Sequence, residues 1–163
     1  MELRPITMDD LPLYEACLTD PRMMSELGGP LDPAILPDKL RSIVDEVEDG
    51  TVWFFVIVVD GRGVGTVCVW DAGEDGEIAP EIGWMVLPEY QGRGLASAAV
   101  ADVVRRAREE RRWGTIYAHP GVTNGASNAI CRKAGFERIG ERDVAFMDRT
   151  LRTARWRIEV GAP

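Results

Sequence analysis

Cysteine and histidine are scarce in this sequence. Its 163 residues include three cysteines, Cys17, Cys68 and Cys131, and a single histidine, His119. An odd number of cysteines without a Cys-x-x-Cys pair argues against a disulfide framework and against a zinc site. We therefore expect reduced thiols and no metal site.

Long apolar runs and basic residues are also scarce. No stretch approaches the roughly 20 apolar residues that a membrane-spanning helix needs, and the N-terminal residues lack the pattern of a secretory signal. With 27 acidic and 19 basic residues the net charge is -8. This charge argues against a nucleic-acid partner, because phosphate neutralisation needs a basic face. We expect a cytoplasmic protein that binds neither membranes nor nucleic acid.

The composition is otherwise ordinary for a globular protein, with 45% hydrophobic and 28% charged residues. The length fits one domain with a substantial core, and neither a linker nor a repeat divides the sequence. We therefore expect residues 1–163 to form a single domain.

The hydrophobic periodicity predicts a mixed sheet with helices on its faces. Turn signals at 60–63 and 71–76 make the strands before residue 88 an antiparallel meander, and residues 147–150 connect the last two strands. The predicted fold class is α+β, a mostly antiparallel sheet of six or seven strands flanked by about four helices. The predicted strands are 3–6, 51–59, 64–70, 78–87, 115–118, 137–146 and 151–160, and the predicted helices are 9–19, 33–48, 95–113 and 124–134.

One connection in this pattern predicts a ligand site. The helix at 95–113 joins the strand at 78–87 to the strand at 115–118, which we expect to lie parallel to it through a right-handed crossover. A switch from antiparallel to parallel pairing opens a crevice at the ends of the strands, and ligands bind in such crevices.

A glycine-rich turn leads from the apolar strand at 78–87 into the helix at 95–113. Amide groups at a helix N-terminus have no intrahelical partner and lie at the positive end of the helix dipole. Glycines beside them let a phosphate approach the backbone closely. The turn therefore predicts a site for a phosphate-bearing cofactor, formed by Gln91, Gly92, Arg93, Gly94, Leu95, Ala96 and Ser97.

Two common phosphate-binding motifs fit this turn poorly. A P-loop needs Gly-Lys-Ser/Thr at its end, and no such triplet follows Gly94. A dinucleotide-binding fold needs Gly-x-Gly-x-x-Gly in the first βα unit and an acidic residue about 20 residues later. The sequence from Gly92 to Ser97 comes close to that pattern, but it lies in mid-chain and the next strand ends in His119. A dinucleotide oxidoreductase stays a weaker alternative.

The same turn matches the Gln/Arg-x-x-Gly-x-Gly/Ala signature of the Gcn5-related N-acetyltransferase (GNAT) family through Gln91, Gly94 and Ala96. A second segment that resembles the family, residues 124–136, follows at the expected distance. A third, residues 3–12, resembles the family's opening strand and helix start. The sequence therefore resembles the GNAT family over nearly its whole length.

The resemblance implies the acyl-CoA N-acyltransferase (GNAT) fold with acetyl-CoA (coenzyme A) as cofactor. In the family, a strand residue at the position of Val86 pairs with the pantetheine amides. A backbone amide near Met85 or Val86, freed by a local bulge, would stabilise the oxyanion. Asn124 would either contact the pantetheine arm or cap its helix. The implied cofactor-binding residues are Met85, Val86, Gln91, Gly92, Arg93, Gly94, Leu95, Ala96, Ser97, Asn124, Ser127 and Lys133.

Three side chains are candidates for the proton transfers that acetylation of an amine requires. Glu81 lies on the strand before the turn, where several members of the resembled family place a glutamate base. His119 follows the next strand, and histidine is the residue type that ordinarily titrates nearest to neutral pH. Cys131 stands where many members have the tyrosine that protonates the coenzyme A thiolate. This departure from the family pattern leaves the general acid open.

We therefore expect an N-acetyltransferase that transfers the acetyl group of acetyl-CoA to a primary amine by direct attack in a ternary complex. The acceptor stays open between a protein N-terminus, a polyamine and an aminoglycoside-like amine, and Trp70 and Trp84 could line its pocket. A non-catalytic acyl-CoA sensor is the alternative that the missing tyrosine suggests. The oligomeric state stays open, a homodimer included.

Overall fold

A seven-stranded mixed sheet forms the centre of the structure, a computed structural model that describes residues 1–74, 77–146 and 149–161. The expected α+β fold is confirmed, with seven strands and five α-helices in these ranges. The strands are β1 (Glu2–Pro5), β2 (Trp53–Val59), β3 (Arg62–Glu74), β4 (Glu77–Val86), β5 (Thr115–Ala118), β6 (Glu137–Phe146) and β7 (Arg149–Glu159). The helices are α1 (Leu11–Thr19), α2 (Pro21–Met24), α3 (Leu36–Glu48), α4 (Leu95–Glu110) and α5 (Gly125–Lys133).

Several predicted boundaries were wrong. β3 continues to Glu74, so that residues 71–74 belong to a strand where we predicted a turn, because β3 and β4 stay paired from Gly65↔Val86 to Glu74↔Glu77. α2 lies in a segment for which no helix was predicted, and its N-cap Asp20 accepts a bond from the Arg22 amide. The predicted connections at 71–76 and 147–150 include residues 75, 76, 147 and 148, which lie outside the described ranges.

The helix at 95–113 is three residues shorter than predicted. α4 ends at Glu110 because Arg111 adopts the left-handed conformation, with φ 51°. A left-handed residue directly after the last helical turn ends a helix without a glycine only at some energetic cost. The next residue, Arg112, lies over the ring of Trp113, 4.6 Å from the ring centre.

The sheet is covered by helices on both faces, in the order β1-β2-β3-β4-β5-β7-β6. On one face α4 and α5 cover a core that includes Val67, Ile82 and Trp156. On the other face α1 and α3 cover a second core around Met24 and Val56. Neighbouring residues of β4 point to opposite sides of the sheet: Trp84 packs against the first core and Met85 against the second.

β4 and β5 pair at one position only, Glu81↔Tyr117. Beyond this point β4 stays with β3 as far as Val86. The chain after β5 instead follows β7, because the Ala154 amide donates to the Pro120 carbonyl (2.8 Å) and Gly121 pairs with Thr153. Each strand therefore keeps its antiparallel partner, and a gap opens between the C-terminal half of β4 and the end of β5.

The buried carboxylate of Asp10 connects β1 to the start of the first helical segment. Asp10 accepts bonds from the Arg4 guanidinium at 2.7 and 2.6 Å and from the Thr7 amide at 2.9 Å. Burial alone would raise the pKa of Asp10, but the hydrogen bonds from Arg4 and Thr7 hold it below the ordinary value. The ionised carboxylate is therefore bound more tightly in the folded state than in the unfolded chain.

We expect Asp10→Asn to lower the free energy of unfolding by about 2 kcal/mol at pH 7, because it weakens charge-assisted hydrogen bonds. A carboxyl with a lowered folded-state pKa stabilises above its unfolded pKa of about 3.9 and loses that contribution as the pH falls through its folded-state pKa. The difference between wild type and variant should therefore shrink below about pH 4. Urea unfolding at pH 7 and pH 3 measures this difference in the free energy of unfolding. The control is Asp9→Asn, since Asp9 is exposed. An equal difference at both pH values would contradict the assignment.

Candidate active site

The edge of β4 that faces the gap has backbone groups available for a ligand. The Leu87 amide donates to the Val64 carbonyl (2.9 Å), which makes this pair a hydrogen-bonded one in the antiparallel ladder. Hydrogen-bonded pairs alternate with non-hydrogen-bonded pairs. It follows that Met85 directs its backbone toward β3, whereas Trp84 and Val86 direct theirs into the gap.

This geometry corrects one expectation about the oxyanion donor. The register between β3 and β4 runs without a shift, so β4 has no bulge relative to β3. Val86 instead faces the gap because β5 has diverged from β4. Met85 has its amide in the ladder with Thr66, and its side chain packs against the second core. Of the two residues predicted to supply the amide, Val86 is the one directed at the gap.

The opposite wall of the gap is the chain around the end of β5. The Ala154 amide donates to the Pro120 carbonyl, and the Val160 amide donates to the Gly114 carbonyl. The even-numbered residues from 114 to 120 therefore direct their backbone groups toward β7. By the same alternation, His119 directs its backbone toward β4. The gap is therefore bordered by main-chain groups on both sides.

At the end of β4 the chain turns into α4 through two glycines in the left-handed conformation. Gly92 has φ 74° and Gly94 has φ 77°, and a Cβ atom at either position would meet no atom within 4 Å. Gly94 is the N-cap of α4, and the first helical bond runs from the Ala98 amide to its carbonyl (3.0 Å). The amides of Leu95, Ala96 and Ser97 precede that bond and lie at the positive helix end. We call residues 91–97 the glycine turn.

Two side chains of the glycine turn have partners in the protein. Gln91 donates from Nε2 to the Val86 carbonyl (2.8 Å), which fixes the turn to the end of β4. Arg93 donates to the Glu89 carbonyl (3.0 Å) and lies over the Tyr90 ring, 5.2 Å from its centre. Gln91 thus satisfies the carbonyl of Val86 and leaves the Val86 amide directed at the gap, while Arg93 keeps a positive charge beside the turn.

The structure brings together two of the predicted catalytic residues. His119 Nδ1 lies 3.2 Å from Glu81 Oε2. The histidine side chain is 4% exposed and the glutamate side chain 23% exposed. The imidazole also stacks in parallel on Tyr117, with 6.4 Å between ring centres and 2° between planes. The more accessible carboxylate therefore lies against a buried imidazole at the point where β4 and β5 separate.

Trp70 and Trp84 lie on opposite faces of the sheet, so they do not line one pocket together. Trp70 is opposite Glu81 in the register of β3 and β4 and lies on the Glu81 face of the sheet. Trp84 is opposite Val67 and packs against the core beneath α4. Only Trp70 lies beside the Glu81–His119 pair, because consecutive residues of a strand alternate between faces.

The start of α5 forms the far border of the gap. Asn124 caps this helix, since its side chain accepts a bond from the Ser127 amide (3.0 Å). Asn128 donates to the Gly121 carbonyl (2.9 Å) and accepts a bond from the Trp156 indole (2.9 Å). These bonds fix the loop after His119 to α5 and to β7.

Two further predicted residues, Cys131 and Lys133, lie later in α5. Cys131 is 0% exposed within the core, and burial raises the pKa of its thiol to about 12. Such a thiol is a poor proton donor to a leaving group, and we no longer assign the general acid to it. Lys133 is the last residue of α5, about 12 Å along the axis from the first residue of that helix.

Sequence reasoning missed Asn128, Tyr117 and Gly83 as parts of the site. Asn128 lies one helical turn after Asn124, a spacing that places both on one helix face. A glycine inside an apolar strand often marks a close approach of another group, and Gly83 is such a glycine. Tyr117 and His119 are two residues apart at the end of a predicted strand, and this spacing places both on one face of the sheet.

None of the helices in the described ranges is both long and apolar enough to cross a membrane. Within the same part of the chain, no group of three or more histidine, cysteine, aspartate or glutamate side chains is placed to hold a metal ion.

The chain matches known proteins over most of its length. A family model for the acetyltransferase (GNAT) domain matches residues 1–137. Among solved structures, RimL, a ribosomal L7/L12 α-N-protein acetyltransferase in complex with coenzyme A, is 15% identical, and the match covers 99% of this chain and 94% of that one with a TM-score of 0.82. A GNAT-family acetyltransferase from Bacillus anthracis is 18% identical (97% and 93% covered, TM-score 0.79).

A third similar structure is the aminoglycoside acetyltransferase AAC(6')-Ib in complex with coenzyme A. It is 20% identical, and the match covers 96% of this chain and 93% of that one with a TM-score of 0.78. At these identities the three structures establish the fold of this chain.

Proposed function

Because this chain belongs to the acetyltransferase (GNAT) family, we propose that it transfers the acetyl group of acetyl-CoA to a primary amine by direct attack in a ternary complex. The observation that carries this proposal is the gap between β4 and β5. It connects the glycine turn at one end to the Glu81–His119 pair at the other. A cofactor with a diphosphate and an extended amide-bearing arm fits such a site.

The diphosphate would bind to the amides of Leu95, Ala96 and Ser97 at the start of α4. The pantetheine arm would then run along β4 and pair with the backbone of Val86 and Trp84 as an added strand. From Val86 to Glu81 the strand extends about 17 Å. The thioester at the end of the arm would therefore lie close to the Glu81–His119 pair.

In the reaction, the deprotonated amine attacks the thioester carbonyl and the coenzyme A thiolate leaves. Glu81 accepts the proton of the amine, since its carboxylate is the more accessible member of the pair. His119 contacts the carboxylate from the buried side and holds it in place. A β4 amide directed into the gap near Glu81 stabilises the developing oxyanion, and of the gap-facing residues Trp84 is nearer to Glu81 than Val86 is. With Cys131 in the core, the thiolate takes its proton from water.

The chemistry of the site fits an amine acceptor that is cationic before it reacts. Glu81 provides a negative charge, and the whole chain carries a net charge of -8, which attracts cations to its surface. RimL acts on a protein N-terminus and AAC(6')-Ib on aminoglycosides. Both classes present a protonated amine, so either type of acceptor is compatible with the site.

Thiol release from acetyl-CoA tests the proposal. We expect release above the rate of spontaneous hydrolysis in the presence of at least one of three amines: spermidine, kanamycin and a tetrapeptide with a free N-terminus. Mass spectrometry of the product should show a single added acetyl group on the amine. Tight binding of coenzyme A in calorimetry without acetylation of any of the amines would instead favour the acyl-CoA sensor.

A further inference from the structure

The ring of Trp70 lies directly over Gly83 on the neighbouring strand. A Cβ atom added at Gly83 would lie 3.0 Å from both Cη2 and Cζ3 of Trp70. Carbon atoms in proteins pack at about 3.5 to 4.0 Å. The ring therefore occupies the space that a side chain at position 83 would need.

Gly83 has no conformational reason to be glycine. It is not among the glycines with positive φ, and it lies inside β4 in regular register opposite Cys68. Glycine within a strand weakens the strand unless something approaches closely. The approaching group here is the indole ring, so that Gly83 allows the ring of Trp70 to lie close to the backbone of β4.

Trp70 and the proposed base are cross-strand neighbours. Trp70 and Glu81 are opposite each other in the register of β3 and β4, and both lie on the same sheet face. On the other side of Glu81, the stacked rings of Tyr117 and His119 cover β5. The carboxylate is therefore flanked by aromatic rings on both neighbouring strands.

We propose that Trp70, whose ring occupies the space left free by Gly83, is the specificity-determining wall of the acceptor pocket. This inference rests on the proposed function. The ring face packs against the carbon skeleton that carries the reacting amine, and its π-electrons attract the protonated amine before Glu81 takes the proton.

The test uses steady-state kinetics with the best of the three amines named above. Trp70→Ala should raise the KM for the amine about tenfold and leave kcat within about threefold, because a cation–π and packing contact of this size is lost. Gly83→Ala should raise the same KM by about fivefold, because its new methyl group displaces the ring. Coenzyme A affinity, measured by calorimetry, should stay within twofold for both variants.

Two matched controls separate this effect from a loss of stability. Gly63→Ala introduces a similarly close contact, with Leu13 Cδ2 at 3.0 Å and Val56 Cγ1 at 3.1 Å, away from Glu81. Trp113→Phe removes an indole that packs on Trp53, on the sheet face opposite to Glu81. Both should lower the melting temperature without a change in the KM for the amine.

If the wild type is active but Trp70→Ala and Gly83→Ala leave the KM for the amine unchanged, Trp70 does not line the acceptor pocket. The proposed function would still stand in that case. A loss of coenzyme A affinity in the same two variants would also overturn the proposed role of Trp70. The ring would then stabilise the cofactor site and not the acceptor pocket. If the wild type binds coenzyme A but acetylates none of the amines, the proposed function fails and the wall fails with it.

Discussion

Glu81→Gln should lower kcat by about 10²- to 10³-fold with the preferred amine. The amide keeps the size and shape of the side chain but accepts no proton at neutral pH, so the amine must lose its proton to water. Coenzyme A affinity should stay unchanged, because the cofactor contacts proposed above lie on Val86 and the glycine turn. Stopped assays of thiol release, together with calorimetry, measure both quantities.

Glu89→Gln is the matched control for this prediction. Glu89 is an exposed carboxylate in the short turn between β4 and the glycine turn, and its replacement changes the net charge by the same amount. We expect its kcat to stay within about twofold of the wild type. If Glu81→Gln keeps the wild-type kcat, the proton is removed by another group and the Glu81–His119 contact is structural.

Several elements of the fold could be predicted because their signals are local. β5 and β6 have the bounds that we predicted, 115–118 and 137–146. Both begin next to residues that interrupt regular structure, and apolar or alternating residues fill them. The glycine turn was found in the same way, since two glycines between an apolar strand and a helix are visible in the sequence.

What the sequence could not predict depends on contacts between distant segments. The chain after β5 follows β7 through the bond from Ala154 to Pro120, 34 residues apart, and no periodicity encodes that pairing. The contact of Glu81 with His119 follows from a single parallel pair, Glu81↔Tyr117. The proposed roles, Glu81 as the base and His119 as the residue that holds it, rest on this contact.

The burial of Cys131 has a similar origin. A helical stripe of apolar residues predicts which face of α5 is buried, but it does not predict whether that face meets the core or the gap. Here Cys131 packs into the core together with Phe136 and Trp156. The family position of the tyrosine therefore does not carry its chemistry over to this residue.

Gly94→Asp should lower coenzyme A affinity at least 100-fold. Gly94 lies at the start of α4 with φ 77°, and a side chain there would enter open space beside the amides proposed to bind the diphosphate. Aspartate tolerates the left-handed conformation better than most residues, so the fold should persist. Its carboxylate would repel the diphosphate at close range, where two like charges interact by several kcal/mol.

Gly94→Asn is the matched variant, because asparagine has the same shape and a similar tolerance for positive φ but no charge. It should weaken coenzyme A binding less than Gly94→Asp does, and the difference between the two should shrink as salt is added. Gly135→Asp is a distant control at φ 86°, also with open space around it, and should leave affinity unchanged. Calorimetry at two ionic strengths measures the affinity of each variant for coenzyme A. If Gly94→Asp keeps the wild-type affinity, the diphosphate binds elsewhere than at the start of α4.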